Sequence, residues 1–474
     1  MSESRAIDAL LSNLSVANSK NIIDLSFGYE QMSYPELSKR IDEQANEWLR
    51  MGVIRGSSVL LILPTSLNLI VHILALMKIG ATPSPVSNAL GRLAYQHICK
   101  NIQPFAIYSK DIVDIDAQNY VDSDHTLIDG CHLLINPENQ FREIFQDNLI
   151  LTTSGSTGFP KSILHKGNNS FLNAELHMQA INENSGGTYL SSLSAFFSYG
   201  LIAGIFGALL KAKNIVIPEK PFYPSLWFDY CNQYDISLSS ITPGLLKRML
   251  KIAHPFPDYL KKVTIGGEKA DLLDVKKLRE TFSGEIYLTY GLSEAGPRVF
   301  TNEIKEDYTL WPYMGHPLSG VKVSLHAPKN VESVERGELI VDSPTNMLGY
   351  IINGQTERDS DFYDHNWLLT GDVCERNDEN MFKYIGRSKN IIKCNGEMIY
   401  PGLIRNAILL HPDVDDATVE GRENGQIGQE VIAYISLKEG KQMPDLRRFC
   451  SKYLRLLEIP REFIESKNVE HFKK

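Results

Sequence analysis

Leu37, Ile41, Ala45 and Leu49 recur at a spacing of four among polar neighbours in residues 36–50, which predicts a helix with one apolar face. Val59–Leu63 is a short β-type run; Ser66 then offers a cap for a predicted helix that Gly80 stops. Leu149–Thr152, Asn214–Pro218, Lys262–Ile265 and Ile286–Thr289 read as further short strands. An apolar run, a turn and an amphipathic stretch alternate in this way over about 300 residues, and the predicted class is layered α/β with substantial parallel sheet. After Gly349 the texture changes. A polar and acidic run, Gln355–Asp364, leads into Tyr384–Ile392 and a shorter segment predicted to hold two helices and two strands. The expected division is a large N-terminal domain of layered α/β sheets, 1–387, and a small, mobile α+β C-terminal domain, 388–474. No internal repeat or low-complexity segment interrupts this reading.

Length and charge narrow the function classes. A chain of 474 residues has material for a large core, and its 43% apolar and 22% charged content is ordinary for a globular protein. With 48 Lys+Arg against 57 Asp+Glu the net charge is −9, which argues against a non-specific nucleic-acid binder or a polybasic membrane anchor, though a local basic patch stays compatible. The longest apolar runs, Leu69–Met77 and Leu201–Leu210, are broken by Lys78 and Lys211, short of the roughly 18 residues a membrane span needs. The opening MSESRAIDALL has no apolar signal core, and the six cysteines form no CxxC pair, so reduced cysteines and a cytoplasmic location are expected.

Candidate chemistry begins after the Leu149–Thr152 run, with T-S-G-S-T-G-F-P-K-S at 153–162. Glycines let backbone N–H groups approach phosphate oxygens, hydroxyls donate, and Lys161 adds a cation, so the segment suits an anion cradle. A kinase-type phosphate loop needs a glycine before the lysine; here Pro160 stands there and removes an N–H donor. A polar surface turn is the other reading of this segment. Downstream come Tyr290-Gly291-Leu292-Ser293-Glu294, Leu369-Thr370-Gly371-Asp372, Gly386-Arg387-Ser388-Lys389 and Lys393-Cys394-Asn395-Gly396. Each alone is bland: Tyr290 suits a core, Glu294 a solvated surface, Asp372 a turn beside its glycine, Arg387 and Lys389 a solvated basic pair. Their joint occurrence in this order is not bland.

The series resembles the motifs of the adenylate-forming superfamily, which includes acyl-CoA synthetases, aryl-CoA ligases, luciferases and peptide-synthetase adenylation domains. The resemblance runs from Ser33–Leu37 and Gly80–Pro85 through 152–161, Gly266-Gly267-Glu268, 290–294, Gly337–Leu339, Gly349-Tyr350, 370–372 and 386–396 to Ile459-Pro460. It implies ATP with its phosphates over Thr153, Ser154, Gly155, Ser156, Thr157, Gly158 and Lys161. Tyr290 would stack on the adenine beside Gly291, with Gly267 and Glu268 at the purine edge. Glu294 is the implied partner of Mg²⁺, a hard cation that takes oxygen ligands and keeps several waters. Ser293 would donate to the α-phosphate, while Asp372 accepts from the ribose hydroxyls with Arg387 assisting. The implied chemistry is attack of a substrate carboxylate on the α-phosphate, giving acyl-adenylate and pyrophosphate through positioning and charge neutralisation. Thiol attack would follow after the small domain rotates about a hinge at Lys389. The thiol is coenzyme A or a carrier-protein phosphopantetheine; with no carrier domain before Lys474, a stand-alone enzyme meeting its thiol in trans is expected.

The same resemblance bears on the acid. Residues 193–201, Leu-Ser-Ala-Phe-Phe-Ser-Tyr-Gly-Leu, hold no carboxylate where amino-acid-activating relatives pair an aspartate with the substrate ammonium, which disfavours an α-amino acid. The stretch looks most like that of benzoate-type aryl ligases. Phe196, Phe197, Ser198 and Tyr199 with Gly266 are the implied acid pocket, and an aromatic or other apolar carboxylic acid is expected. Plain core packing of the aromatics is the alternative, and a catalytically impaired ATP- or adenylate-binding relative is a reading of another class. One departure stands out. The family's lysine in a T-x-x-G-K-like segment, which neutralises charge during adenylation, has no counterpart after Ile459–Phe463; the sequence ends Phe472-Lys473-Lys474. A shortened chain, substitution by Lys473 or Lys474, and loss of efficient adenylation all fit. Slow adenylate formation with retained thioester formation is the expectation, since the thiol step uses 389–396.

Overall fold

The computed structural model describes residues 5–17, 19–110, 120–122, 130–153, 160–219, 222–252, 254–326, 335–358, 362–364, 366–388, 392–394, 397–399, 401–424, 428–454 and 456–466. Among these the chain forms two compact units, one of 1–323 with 341–368, the other of 324–340 with 369–474.

The first unit is built on a nine-stranded sheet. Its order is His316–Pro317, Arg298–Glu303, Glu285–Gly291, Lys262–Gly266, Leu238–Ile241, Thr188–Leu190, Asn214–Ile217, Asn21–Asp24 and Glu30–Ser33. The six strands from Glu285–Gly291 to Asn21–Asp24 run parallel, and the edges are antiparallel. These strands are largely buried, apolar and polar residues alike, because both faces are covered, as a parallel sheet requires. A second sheet holds Thr82–Val86, Ser58–Ile62 and Ala106–Ser109 in parallel, with His132–Ile135 antiparallel beside them. A third, antiparallel, joins Asn148–Thr153, Lys161–Lys166, Gly349–Ile352 and Gln355–Glu357.

The helix Tyr34–Arg50 begins with a reciprocal cap: the Ser33 side chain accepts from the Glu36 N–H, and the Glu36 carboxylate accepts from the Ser33 N–H at 2.8 Å. Tyr34, Leu37, Ile41, Ala45 and Trp48 are its buried face; Leu49 is 49% exposed. A spacing of four drifts off a face that repeats every 3.6 residues, so after three repeats Trp48 lies about 20° from Leu37 and Leu49 about 120° away. Ser66 caps Leu67–Lys78 by accepting from the Leu69 N–H at 3.2 Å. That helix is buried nearly all round. Its His72 lies edge-on to Trp48 and against Tyr108, ring centroids 5.4 and 4.6 Å away. Leu201–Leu210 lies in a wide π-helix, Tyr199–Phe206, that continues as α-helix through Gly207–Leu210, buried as far as Leu209.

The second unit carries most of a four-stranded sheet of Lys322–His326, Arg336–Asp342, Trp367–Arg376 and Phe382–Arg387, the last two antiparallel. It continues into a five-stranded sheet of Glu397–Ile399, Ile392–Cys394, Gly428–Leu437, Val414–Asn424 and Glu462–Glu465, with helices Pro401–Leu409 and Leu446–Cys450. Both expected helices are present, but five strands replace the expected two, since the three others, of three or four residues, are too short to display an alternating pattern. The unit takes in 324–340 and then runs from 369, whereas the expected domain starts at 388. The hairpin 367–387 packs on the helix Pro401–Leu409, where a Cβ on Gly402 would lie 2.5 Å from the Ile385 carbonyl. Such a long-range contact leaves no composition shift at 369.

Trp48→Ala should lower the stability of the first unit by about 3–5 kcal/mol and Leu49→Ala by less than about 0.5, read from urea midpoints. Burial holds His72 near a pKa of about 3 and His165 near about 4, against 6.5 ordinarily. Below pH 6.5 the unfolded chain binds protons that the folded chain refuses. Stability is therefore full above pH 6.5 and falls toward pH 4, by on the order of 1 kcal/mol per pH unit for each histidine. Urea midpoints measured from pH 7 to 4.5 should show this slope, and His72→Phe should flatten it.

Candidate active site

Parallel strands end together, and ligands in such sheets sit outside their carboxyl ends. Lys262–Gly266 pairs with Glu285–Gly291 so that Gly266 lies opposite Thr289, and Gly266-Gly267 and Tyr290–Glu294 therefore leave the sheet at one edge. The segment 191–199, which follows the parallel strand Thr188–Leu190, meets them there. The Ser198 and Ser293 hydroxyls are 2.7 Å apart. The Tyr199 hydroxyl is 2.8 Å from Thr264 Oγ1, which donates to Ser240 Oγ at 2.9 Å. Gly266 permits this packing: a Cβ there would lie 2.3 Å from Thr289 Oγ1 and 3.2 Å from Tyr199 Cε1.

The two readings of 193–201 separate residue by residue. Tyr199 and the helix it opens are buried, whereas Phe197 is 53% exposed and Phe196 half-buried, their rings edge-on at 5.3 Å. Phe197 is not core packing.

Around the carboxyl edge, Tyr290 is half-buried and edge-on to Phe300 at 6.0 Å, while Gly267, at φ +90°, and Glu268 are exposed. Ser293–Ala295 forms a short 3₁₀ turn that leaves Glu294 half-buried. The Glu294 carboxylate accepts from the Tyr350 hydroxyl at 2.8 Å, and Lys161 Nζ lies 4.2 Å from the centre of the Tyr350 ring. Tyr350 thus joins a cation at the start of one strand to a carboxylate 133 residues on. The Gly349-Tyr350 pair belongs to the motif series, but nothing in its spacing assigns that role. His165, on the same strand as Lys161, hydrogen-bonds the Ser293 backbone; this too was invisible in the sequence.

Thr153 and Lys161 face each other as the last and first residues of paired antiparallel strands. The segment between them therefore links strand to strand, whereas a kinase-type phosphate loop links strand to helix, which agrees with the reading of Pro160. Ser154, Gly155, Ser156, Thr157 and Gly158 lie outside the described residues, as do Lys389 and Lys474.

In the second unit Asp372 is 2% exposed, on the strand Trp367–Arg376 rather than in the turn expected from its glycine. Gly371, at φ +70°, kinks that strand and donates its N–H to Glu338 Oε1 at 2.8 Å, and the Asp372 N–H donates to Thr370 Oγ1 at 3.1 Å. Arg387, opposite on the neighbouring strand and largely exposed, places Nε 2.8 Å from Asp372 Oδ1.

Among the described residues no three His, Cys, Asp or Glu side chains gather as a metal site. A lone half-buried carboxylate, Glu294, fits a magnesium ion that takes its other oxygens from phosphates and water, and does not fit a structural metal.

These features define an α/β enzyme with a nucleotide-type site at the carboxyl edge of a parallel sheet. The chain belongs to the AMP-binding enzyme family, whose model matches residues 14–351. It is 24% identical over 370 residues to the 2-succinylbenzoate–CoA ligase of Bacillus subtilis, covering 78% of this chain and 71% of that one. It is 25% identical to bacitracin synthase 1 of Bacillus licheniformis over 93% of this chain but 9% of that protein. The o-succinylbenzoate CoA synthetase of Bacillus subtilis, solved with its acyl-adenylate intermediate, superposes with a TM-score of 0.80 at 19% identity over 97% of this chain and 94% of that one. Its complex with ATP and a magnesium ion gives 0.78 at 19% identity over 97% and 95%.

Tyr350→Phe keeps the ring beside Lys161 and removes the hydroxyl from Glu294. Mg·ATP binding, measured by titration calorimetry, should weaken about three- to tenfold, as for one lost hydrogen bond of 0.5–1.5 kcal/mol, with little change in unfolding midpoint.

Proposed function

We propose that this chain is an AMP-forming acid–thiol ligase that activates an aromatic carboxylic acid with ATP and passes the acyl group to a thiol. The observation that carries the reading is the 2.7 Å contact of Ser198 with Ser293, which couples the acid-pocket segment to the nucleotide motif. A carboxylate lying on Phe197, Tyr199 and Gly266 is thereby delivered to the α-phosphate that Ser293 binds.

Tyr290 stacks on the adenine, Gly267 and Glu268 border it, and Asp372 accepts from the ribose hydroxyls with Arg387 beside it. Thr153 to Gly158 and Lys161 hold the phosphates. Glu294 would hold magnesium, which supplies neutralisation of the phosphate charge when bound. The carboxylate oxygen forms a bond to the α-phosphorus as the bond to the bridging oxygen breaks, and pyrophosphate leaves with that electron pair. No enzyme nucleophile takes part; the protein orients two anions and offsets their repulsion. Lys389 is the hinge residue of the subsequent thiol step, with the moving domain starting at 388, and Lys474 is the candidate for the adenylation lysine.

Coenzyme A is the favoured thiol, because a relative aligned over most of both chains is named as a CoA ligase, while the bacitracin synthase match covers a small part of that protein. A carrier protein acting in trans is the second reading. No helix among the described residues is long and apolar enough to cross a membrane.

Pyrophosphate exchange against a panel of aryl acids should find at least one active acid, and AMP release with that acid should require coenzyme A. Release with a purified carrier protein instead would select the second reading, and ATP binding without exchange for any acid would sink the ligase assignment. Asp372→Asn should weaken ATP binding about tenfold, because an amide cannot accept from both ribose hydroxyls.

A further inference from the structure

Asn173 lies on the helix Gly167–Ala180, which directly follows the strand that Lys161 begins, and it is wholly buried. Its amide spends both N–H groups and its oxygen on two other segments of the chain. One N–H donates to the Arg298 carbonyl at 3.1 Å, the other to Thr345 Oγ1 at 3.0 Å, and the oxygen accepts from the Arg298 N–H at 2.9 Å. That last contact fixes which way the amide points, since a backbone N–H can only donate.

Thr345, itself buried, passes the contact on. Its hydroxyl donates to the Ala295 carbonyl at 2.9 Å, and the Met347 N–H donates to the Glu294 carbonyl at 2.8 Å. A Cβ on Gly296 would lie 2.7 Å from Thr345 Cβ, so the two segments lie close together here. The turn that carries Ser293 and Glu294 is thus held at carbonyls 294 and 295, and at both backbone polar groups of Arg298 where it re-enters the sheet. Lys161, Glu294 and Tyr350 each belong to one of the three segments that meet here, and Tyr350 pairs with Ile163 on the strand of Lys161. A buried amide adds little net stability over an apolar side chain; fully satisfied, it specifies a geometry.

We propose that Asn173 is a positioning residue of the nucleotide site, which holds the Ser293–Glu294 turn at a set distance from Lys161 and Tyr350. The inference rests on the acid-activation reading and adds to it a residue outside the motif series. Without the amide the turn gains freedom that Mg·ATP must remove on binding, and groups that meet the α-phosphate and the metal lose their alignment.

The test is titration calorimetry of Mg·ATP with the full chain, Asn173→Ala, Glu294→Gln and the double variant, under conditions where unfolding curves show each to be folded. Asn173→Ala should weaken binding about tenfold, yet by less than about threefold when added to Glu294→Gln, because the amide acts through the turn that bears this carboxylate. A loss under about threefold in Asn173→Ala, with only the unfolding midpoint lowered, overturns the proposal and leaves a structural amide. A loss of threefold or more on the Glu294→Gln background overturns it too. Should Asn173→Ala not fold, or Glu294→Gln leave no measurable binding, Thr345→Val is set against Thr345→Ser, which keeps the hydroxyl. Weakening of about threefold or more in the valine variant alone supports the proposal, and any other result overturns it. If no acid supports pyrophosphate exchange, acid activation fails by itself while calorimetry still judges Asn173; if the full chain binds no Mg·ATP, both fall.

Discussion

Tyr199 is tied at its hydroxyl to Thr264, covered on its face by Arg298 and met at its edge by Gly266, which has no Cβ to hold it off. This one side chain sets the depth at which the π-helix seats on the parallel sheet. Ser198, the residue before it, is thereby brought to Ser293, and Phe197, one residue further back, is turned outward. A larger residue at 266 would separate the helix from the sheet and break the contact between Ser198 and Ser293. A π-helix widens its turn to accept such a fit, and these turns are frequent at functional sites.

Polar groups in the first unit divide by how they are satisfied. Glu183 neutralises Lys213 and Lys262, and the Lys262 ammonium also donates to the Ile181 and Asn182 carbonyls at 2.8 and 2.6 Å, closing a structural network. At the carboxyl edge the groups are left with capacity for a ligand. Glu294 takes one hydrogen bond from Tyr350, and Lys161 rests on an aromatic face with no carboxylate partner among the described residues. A site that must receive a polyanion keeps its cations in contact with π faces, which hold the position of the charge without cancelling it.

The second unit shows the same economy on one hairpin. Asp372 and Arg387 are opposite one another across two strands, and the kink at Gly371 spares its N–H for Glu338, so the position of the carboxylate is fixed by backbone geometry. Being a cross-strand pair with one exposed member, it adds little to stability. Its value is orientation.

Much of this was legible in the residues. The caps at Ser33 and Ser66, the short strands around 59, 149, 214, 262 and 286, the parallel sheet and the motif series all depend on patterns a few residues long, and local physics decides such patterns. A helical period of 3.6, in place of a spacing of four, points to Trp48 rather than Leu49 as the buried residue. Other features needed the tertiary structure. Ser198 and Ser293 are 95 residues apart, Tyr350 and Glu294 56, and Asn173 clamps Arg298 across 125. No spacing rule reaches that far. The hairpin from 367 to 387 joins the C-terminal unit through contacts that composition does not record. By itself the sequence determined the chemistry available and the order in which it is threaded. Only packing decided that Phe197 faces outward while Tyr199 is buried, and that Arg298 is buried against the Tyr199 ring, because burial is a property of what surrounds a side chain in space.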